Sequence, residues 1–208
     1  MPTLEPVTLS GRYVRLEPLA AEHGAGLWAA ADVPRETYAL SGLPDSPAAM
    51  RAYVAAALAQ RDAGAALPFA TIDARAGKIV GATRFMNIER WQWPAGHPAQ
   101  RPATEPDAVE IGSTWLTPAA QRTAINSEAK LLMLTHAFAT WRCHRVTLKT
   151  DARNARSRAA IERLGAKLDG LVRAHMPAVD GGIRDTALYS ILSAEWPALA
   201  ARLAARLT

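Results

Sequence analysis

The stretch from Val109 to Asn154 constrains this chain most, because it can only be read as strand, turn, long helix, strand and the mouth of a second helix. Val109-Glu110-Ile111-Gly112-Ser113-Thr114-Trp115-Leu116 is a β-rich run stopped by Thr117-Pro118. The polar segment Gln121–Glu128 follows and leads into an apolar helix over Ala129–Trp141. Leu131, Leu134, Phe138 and Trp141 recur at helical spacing, and Ala129, Leu132, Met133 and Ala137 widen the stripe, which predicts burial on more than one side. Arg145–Thr150 alternates as a strand, and a helix joining two such strands implies a parallel crossover. The polar turn delivers free backbone N–H groups and a positive helix end to one point, which makes an anion site.

The flanking chain extends this unit on both sides. Arg12–Glu17 reads as a short strand closed by Pro18, and the alanine-rich segments Ala20–Ala31 and Pro47–Ala63 read as helices. Leu67–Asp73 and Lys78–Ile88 form a hairpin about Ala74–Gly77. Arg90–Asp107 holds four prolines and a glycine, too broken for a core element, yet it carries Trp91 and Trp93. Asn154 suits the N-cap of Ala155–Leu164, and Gly165 stands where a C′ glycine ends that helix. Lys167–Met176 and Arg184–Leu192 make a last hairpin, followed by a helix from Ser193 with Pro197 in its first turn. The expected architecture is mixed α/β, or α+β: about seven mostly antiparallel strands flanked by helices, in a single domain over residues 1–208.

Composition narrows the function classes. No apolar run approaches the ~18 residues a membrane span needs, so no membrane partner is expected. Met1–Ser10 lacks the basic and apolar regions of a secretory signal, and the single Cys143 excludes an intrachain disulfide, so a cytoplasmic location is expected. Cys143 follows the long helix, where the dipole disfavours a thiolate, and reads as structural. The net charge is +5, but the basic residues do not form the long stripe of a nucleic-acid binder, so no nucleic-acid partner is expected. A smaller polyphosphate ligand or an arginine-rich surface accounts for the excess equally well. Histidines and acids show no metal-ligand spacing, so no metal is expected.

Glu110-Ile111-Gly112, Asn126-Ser127-Glu128-Ala129-Lys130, and Asn154-Ala155-Arg156-Ser157 with Leu164-Gly165-Ala166 and Asp169-Gly170 occur here in a fixed order. In that order and spacing the chain resembles the GNAT superfamily of acyl-CoA N-acyltransferases, in its Rim-type branch of ribosomal-protein N-terminal acetyltransferases. The resemblance implies a GNAT-like sheet split between the fourth and fifth of its strands. It implies an acetyl-CoA-dependent N-acetyltransferase that passes the acetyl group to a primary amine, either a protein N-terminus or a small molecule. Direct attack in a ternary complex would follow, in a monomer or homodimer. The alternative is a non-catalytic acyl-CoA-binding sensor module. It draws on one departure from the family: the pyrophosphate turn Gln121-Arg122-Thr123-Ala124-Ile125-Asn126 lacks both glycines, and Ala124 is strained if it needs a positive φ.

The resemblance also implies roles. Trp115 and Leu116 lie where backbone groups pair with the pantetheine arm, although Trp115 also reads as core. Asn154 matches a pantetheine-binding asparagine and is an equally good helix cap. Ser157 falls where a hydroxyl protonates the leaving thiolate. Glu110 matches the acidic residue that serves as base, with His175 as the second candidate. Arg158 is the best phosphate partner among Arg153, Arg156, Arg158 and Arg163. Glu128 and Lys130 match the family helix and read as serving local structure. Trp28, Trp91 and Trp93 are candidates for an acceptor pocket, the other reading being that the two loop tryptophans pin the loop to the body.

Overall fold

The structure is a computed structural model that describes residues 4–207; Met1–Thr3, part of the segment read for a leader, and Thr208 lie outside the described residues. Eight strands form one sheet: β1 (Leu9–Ser10), β2 (Val14–Pro18), β3 (Ala66–Asp73), β4 (Lys78–Glu89), β5 (Ala108–Leu116), β6 (Arg145–Asp151), β7 (Lys167–Pro177) and β8 (Ile183–Leu192). Their order is β1-β2-β3-β4-β5-β6-β8-β7, and every described pairing is antiparallel except β5 with β6. The eighth strand, beyond the seven expected, is the two-residue β1, too short to show a period.

Five helices cover the sheet: α1 (His23–Ala31), α2 (Pro47–Asp62), α3 (Ala124–Thr135), α4 (Ala155–Leu164) and α5 (Trp196–Ala205). Leu27, Met50 and Val54 of α1 and α2 pack with Ala70, Ala82 and Trp115 on one face. Met133 and Leu134 of α3, Ile161 of α4 and Leu203 of α5 pack with Phe69, Phe85, Val109 and Val146 on the other. Among the described residues no helix is long and apolar enough to cross a membrane.

The long helix begins five residues earlier than the apolar stripe suggests. Thr123 caps it, its side chain accepting from the Ile125 N–H, and Ala124 opens α3. Its last turn widens into a π-helical segment, His136–Thr140. Asn154 caps α4 by accepting from the Ser157 N–H at 3.0 Å, and Gly165 ends it at φ 96°. A Cβ at Gly165 would run into Arg202 and Leu199 of α5, so glycine serves both conformation and close packing there. Asn154→Ala is expected to lower the unfolding free energy by about 1 kcal/mol, measured by urea denaturation.

Candidate functional site

Two local events in β5 open a cleft beside it. The parallel ladder between β5 and β6 lasts three pairs, Ala108 with Arg145, Val109 with Val146 and Glu110 with Thr147, after which the strands part. Immediately beyond, Arg84 of β4 faces Gly112 while Ala82 faces Trp115, so Ser113 and Thr114 stand opposite Thr83 alone and Ser113 takes φ 48°. This is a β-bulge, and it turns the strand's residues toward the gap. The cleft has a volume of about 620 Å³. Its walls come from Ile111–Leu116, from the turn and first helical residues at Gln121–Thr123, Asn126, Ser127 and Lys130, and from one face of α4.

The charge of that lining is one-sided. Arg122, Lys130, Lys149, Arg156 and Arg163 stand in it, and no Asp or Glu is among the described lining residues. The N-terminal turn of α3 opens on the same space through Thr123 and Asn126, so the helix dipole adds to the positive potential. Gln121 organises the entrance. Its amide donates to the Leu116 carbonyl at 3.0 Å and to the Tyr38 hydroxyl at 3.2 Å, and its carbonyl accepts from Arg156 at 3.1 Å.

The turn also answers the missing glycines. Arg122, not Ala124, carries the positive φ, at 60°, while Ala124, Ile125 and Asn126 are ordinary helical residues. Ala124 is therefore free of the strain that a positive φ would impose. Ile125 is buried in the core rather than in the cleft.

Glu110 is buried, and its Oε2 accepts from the Asn87 amide at 2.7 Å and from the Lys149 ammonium at 3.0 Å. Lys149 lines the cleft in front of it. Ser157 lines the cleft from the first turn of α4, whereas Asn154 is seen as the cap of that helix and outside the described lining. Trp115 belongs to the cluster of Leu27 and Met50 and also lines the cleft; its buried Nε1 has no hydrogen-bond partner among the described residues. The Leu116 carbonyl is engaged by Tyr38 at 2.6 Å in addition to Gln121.

Other expected site residues stand away from the cleft lining. Arg158 stands outside the described lining because its Nε donates to the Tyr189 hydroxyl at 3.0 Å and Nη1 to the Ala152 carbonyl; Arg156 and Arg163 face the cleft instead. The three tryptophans do not share a pocket. Trp93 Nε1 and the Trp91 N–H both donate to the Asp107 carboxylate, at 2.8 and 2.7 Å, so both anchor their loop at the start of β5, while Trp28 belongs to the α1–α2 cluster. His144 stacks on Trp91 at that same end. His175 is exposed on β7, where its Nδ1 lies 3.0 Å from the Thr186 hydroxyl. Burial pushes the Cys143 thiol up to about 12, which keeps it protonated.

Lys130 reads from sequence as structural, and its setting is more unusual than that. It is 5% exposed on α3, with Nζ 2.7 Å from Thr114 Oγ1 and 3.1 Å from Thr83 Oγ1. Burial lowers the amine from 10.5 to about 7.

Residues 14–167 match the family model described as Acetyltransferase (GNAT) domain. The chain belongs to the GNAT family of acetyltransferases. Such enzymes draw the acetyl group from acetyl-CoA, and the split sheet is where this GNAT chain departs from a continuous one. A GCN5-related N-acetyltransferase from Brucella melitensis is 32% identical with a TM-score of 0.84, over 100% of this chain and 88% of that one. An acetyltransferase structure from T. thermophilus is 33% identical, TM-score 0.78, over 98% of both chains. Mycobacterium smegmatis RimJ, solved in complex with CoA-disulfide, shares the fold at 22% identity and TM-score 0.74, over 98% of this GNAT chain and 94% of its own. No curated protein matches the chain.

Proposed function

We propose that this GNAT enzyme transfers the acetyl group of acetyl-CoA to a primary amine, a protein N-terminus or a small molecule, by direct attack in a ternary complex. The cleft between the parted strands carries the reading, with Arg122, Lys149, Arg156 and Arg163 in its lining and no described acid. A donor with three phosphate groups fits that charge, and the volume lies within the range of small-molecule sites. RimJ, which shares the fold, was solved with CoA-disulfide, and this supports the same use of the cleft here.

The residues divide the work by position. Arg122, Arg156 and Arg163 are suited to the phosphates, with the Gln121–Asn126 turn supplying backbone donors at the helix mouth. The edge of β5 at Trp115 and Leu116, left without a β6 partner, is proposed to run beside the pantetheine arm, the Leu116 carbonyl being held by Tyr38 and Gln121, and Asn154 is proposed to add its amide from the α4 cap. Ser157, the hydroxyl in the first turn of α4, is proposed to return a proton to the departing thiolate. Glu110 is the carboxylate proposed to attract and deprotonate the acceptor ammonium, and His175 the alternative base. A protonated amine has no lone pair, so some group must take that proton before attack.

Calorimetric titration with acetyl-CoA, followed by thiol release with a panel of peptides and small amines, tests the reading. Saturable binding with turnover of at least one amine is expected, and binding with no turnover on any amine would return the sensor alternative. Arg156→Ala combined with Arg163→Ala is expected to weaken acetyl-CoA about 100-fold, two charge-assisted contacts being lost. The affinity of the wild type should also fall with added salt more steeply than that of the double variant.

A further inference from the structure

Nζ of Lys130 closes a ring with two hydroxyls: it lies 2.7 Å from Thr114 Oγ1 and 3.1 Å from Thr83 Oγ1, and those oxygens are 2.8 Å apart. Beyond the ring lies Met133 Sδ, 3.8 Å from Thr83 Oγ1, so the surroundings are apolar on the helix side. Thr83 is buried, whereas Thr114 is exposed and lines the cleft at the β-bulge. The Thr114 hydroxyl is therefore the step between a buried amine and the space where the acetyl donor is placed.

The charged groups on the surrounding elements are committed elsewhere. On α3 itself, Glu128 binds the backbone N–H groups of Arg12, Tyr13 and Val14. On β4, Arg84 donates to Gln60 of α2, and on β5 Glu110 pairs with Lys149 of β6. Arg122 on the turn and Arg156 and Arg163 on α4 complete the cleft wall. Burial alone thus sets the amine near 7, with no carboxylate to hold its proton.

We propose that Lys130 is the terminal proton acceptor of acetyl transfer, reached from the acceptor amine through the Thr114 hydroxyl. The inference rests on the acetyl-transfer reading and refines the part given to Glu110, which attracts and orients the ammonium while the proton leaves by the other route. The acceptor ammonium gives one proton to Thr114 Oγ1 as that hydroxyl passes its own to the neutral Nζ. The freed lone pair forms the C–N bond at the thioester carbonyl, the C–S bond breaks, and the second amine proton goes to the departing thiolate. The Lys130 ammonium then returns its proton to water through the same hydroxyl. Each turnover yields one amide, one thiol and one proton.

The test compares wild type, Lys130→Met and Thr114→Val in kcat/KM against pH with the best amine of the panel, acetyl-CoA affinity, and the urea midpoint of the ligand-free chain against pH. The wild type should show a limb that rises through about pH 7. Both variants should lose that limb and about 100-fold in kcat. Acetyl-CoA affinity should stay within about twofold, since the amine is neutral in much of the population at the working pH. The urea midpoint gives a readout free of activity. A lysine lowered in the folded state binds fewer protons there than in the unfolded chain between about 7 and its ordinary 10.5, so wild type should gain stability over Lys130→Met as pH rises through that window. Lys130→Met with the limb intact and kcat within threefold, or urea midpoints that run parallel, would overturn the proposal and leave the acetyl-transfer reading standing. A wild type that acetylates no amine would overturn both.

Discussion

Glu128→Ala is expected to lower the unfolding free energy by about 3–5 kcal/mol and the Tm by roughly 10 °C or more. Glu128 sits on the first half of α3 at 7% exposure, and its carboxylate accepts three successive backbone donors: Arg12 at 2.9 Å, Tyr13 at 2.6 Å and Val14 at 2.8 Å. Three converging N–H groups form an anion nest, and here the anion comes from the protein itself. Alanine would leave all three donors, on exposed Arg12, half-buried Tyr13 and buried Val14, without this acceptor and would loosen the start of β2 from the central helix. Glutamine keeps one acceptor oxygen and turns an NH₂ group toward the remaining donor, so Glu128→Gln should lose about half as much. Gly11 belongs to the same device, because a Cβ there would overlap the Glu128 carboxylate. Chemical denaturation of Glu128→Ala, Glu128→Gln and Gly11→Ala measures the series; a loss under about 1 kcal/mol for the alanine variant would show that water replaces the carboxylate.

Turnover of Glu110→Gln is expected to fall about 100-fold, with acetyl-CoA affinity within about twofold of wild type. Both described partners of this carboxylate, Asn87 and Lys149, engage Oε2, so glutamine can present its oxygen to them and place its amide at the other position. The shape is retained and the charge is not. Lys149 is then a cation on the cleft wall with no counterion, repelling the ammonium that the transfer reading brings there. The double variant Glu110→Gln with Lys149→Met separates repulsion by Lys149 from the loss of the orienting carboxylate: it should recover KM for the amine but not kcat. Rates equal to wild type in Glu110→Gln would remove the carboxylate from the reaction.

Elements defined by local periodicity are legible in the sequence. The hairpins, α2, α4 with its Asn154 and Gly165 caps, and the parallel crossover follow from patterns a few residues long. The start of α3 is harder to place because Asn126 and Ser127 are weak helix formers on the cleft side, and the cap at Thr123 outweighs them. That Arg156 and Arg163 rather than Arg158 border the cleft is legible in helical spacing. Ser157 faces the cleft, and at about 100° per residue Ala160, Ile161 and Leu164 share its face with Arg156 and Arg163 at one border, while Arg158 turns to the opposite side. Trp91 and Trp93 are recognisable as anchors, but their target, Asp107, lies at the end of their own loop and nothing local marks the end of the sheet it occupies. Lys130 is the least legible. Its partners arrive from positions 83 and 114, on two strands that meet only in the folded sheet.

The short ladder between β5 and β6 bears on how such a site changes over time. Beyond Glu110 and Thr147 the facing edges of the two strands offer main-chain groups, which every residue supplies whatever its side chain. If a donor is held there through the main chain, as proposed, the side chains of Trp115 and Leu116 answer chiefly to the clusters in which they pack. On that reading, substitutions along this edge are expected to be limited by volume in the core, and the slot is a property of topology more than of side-chain identity.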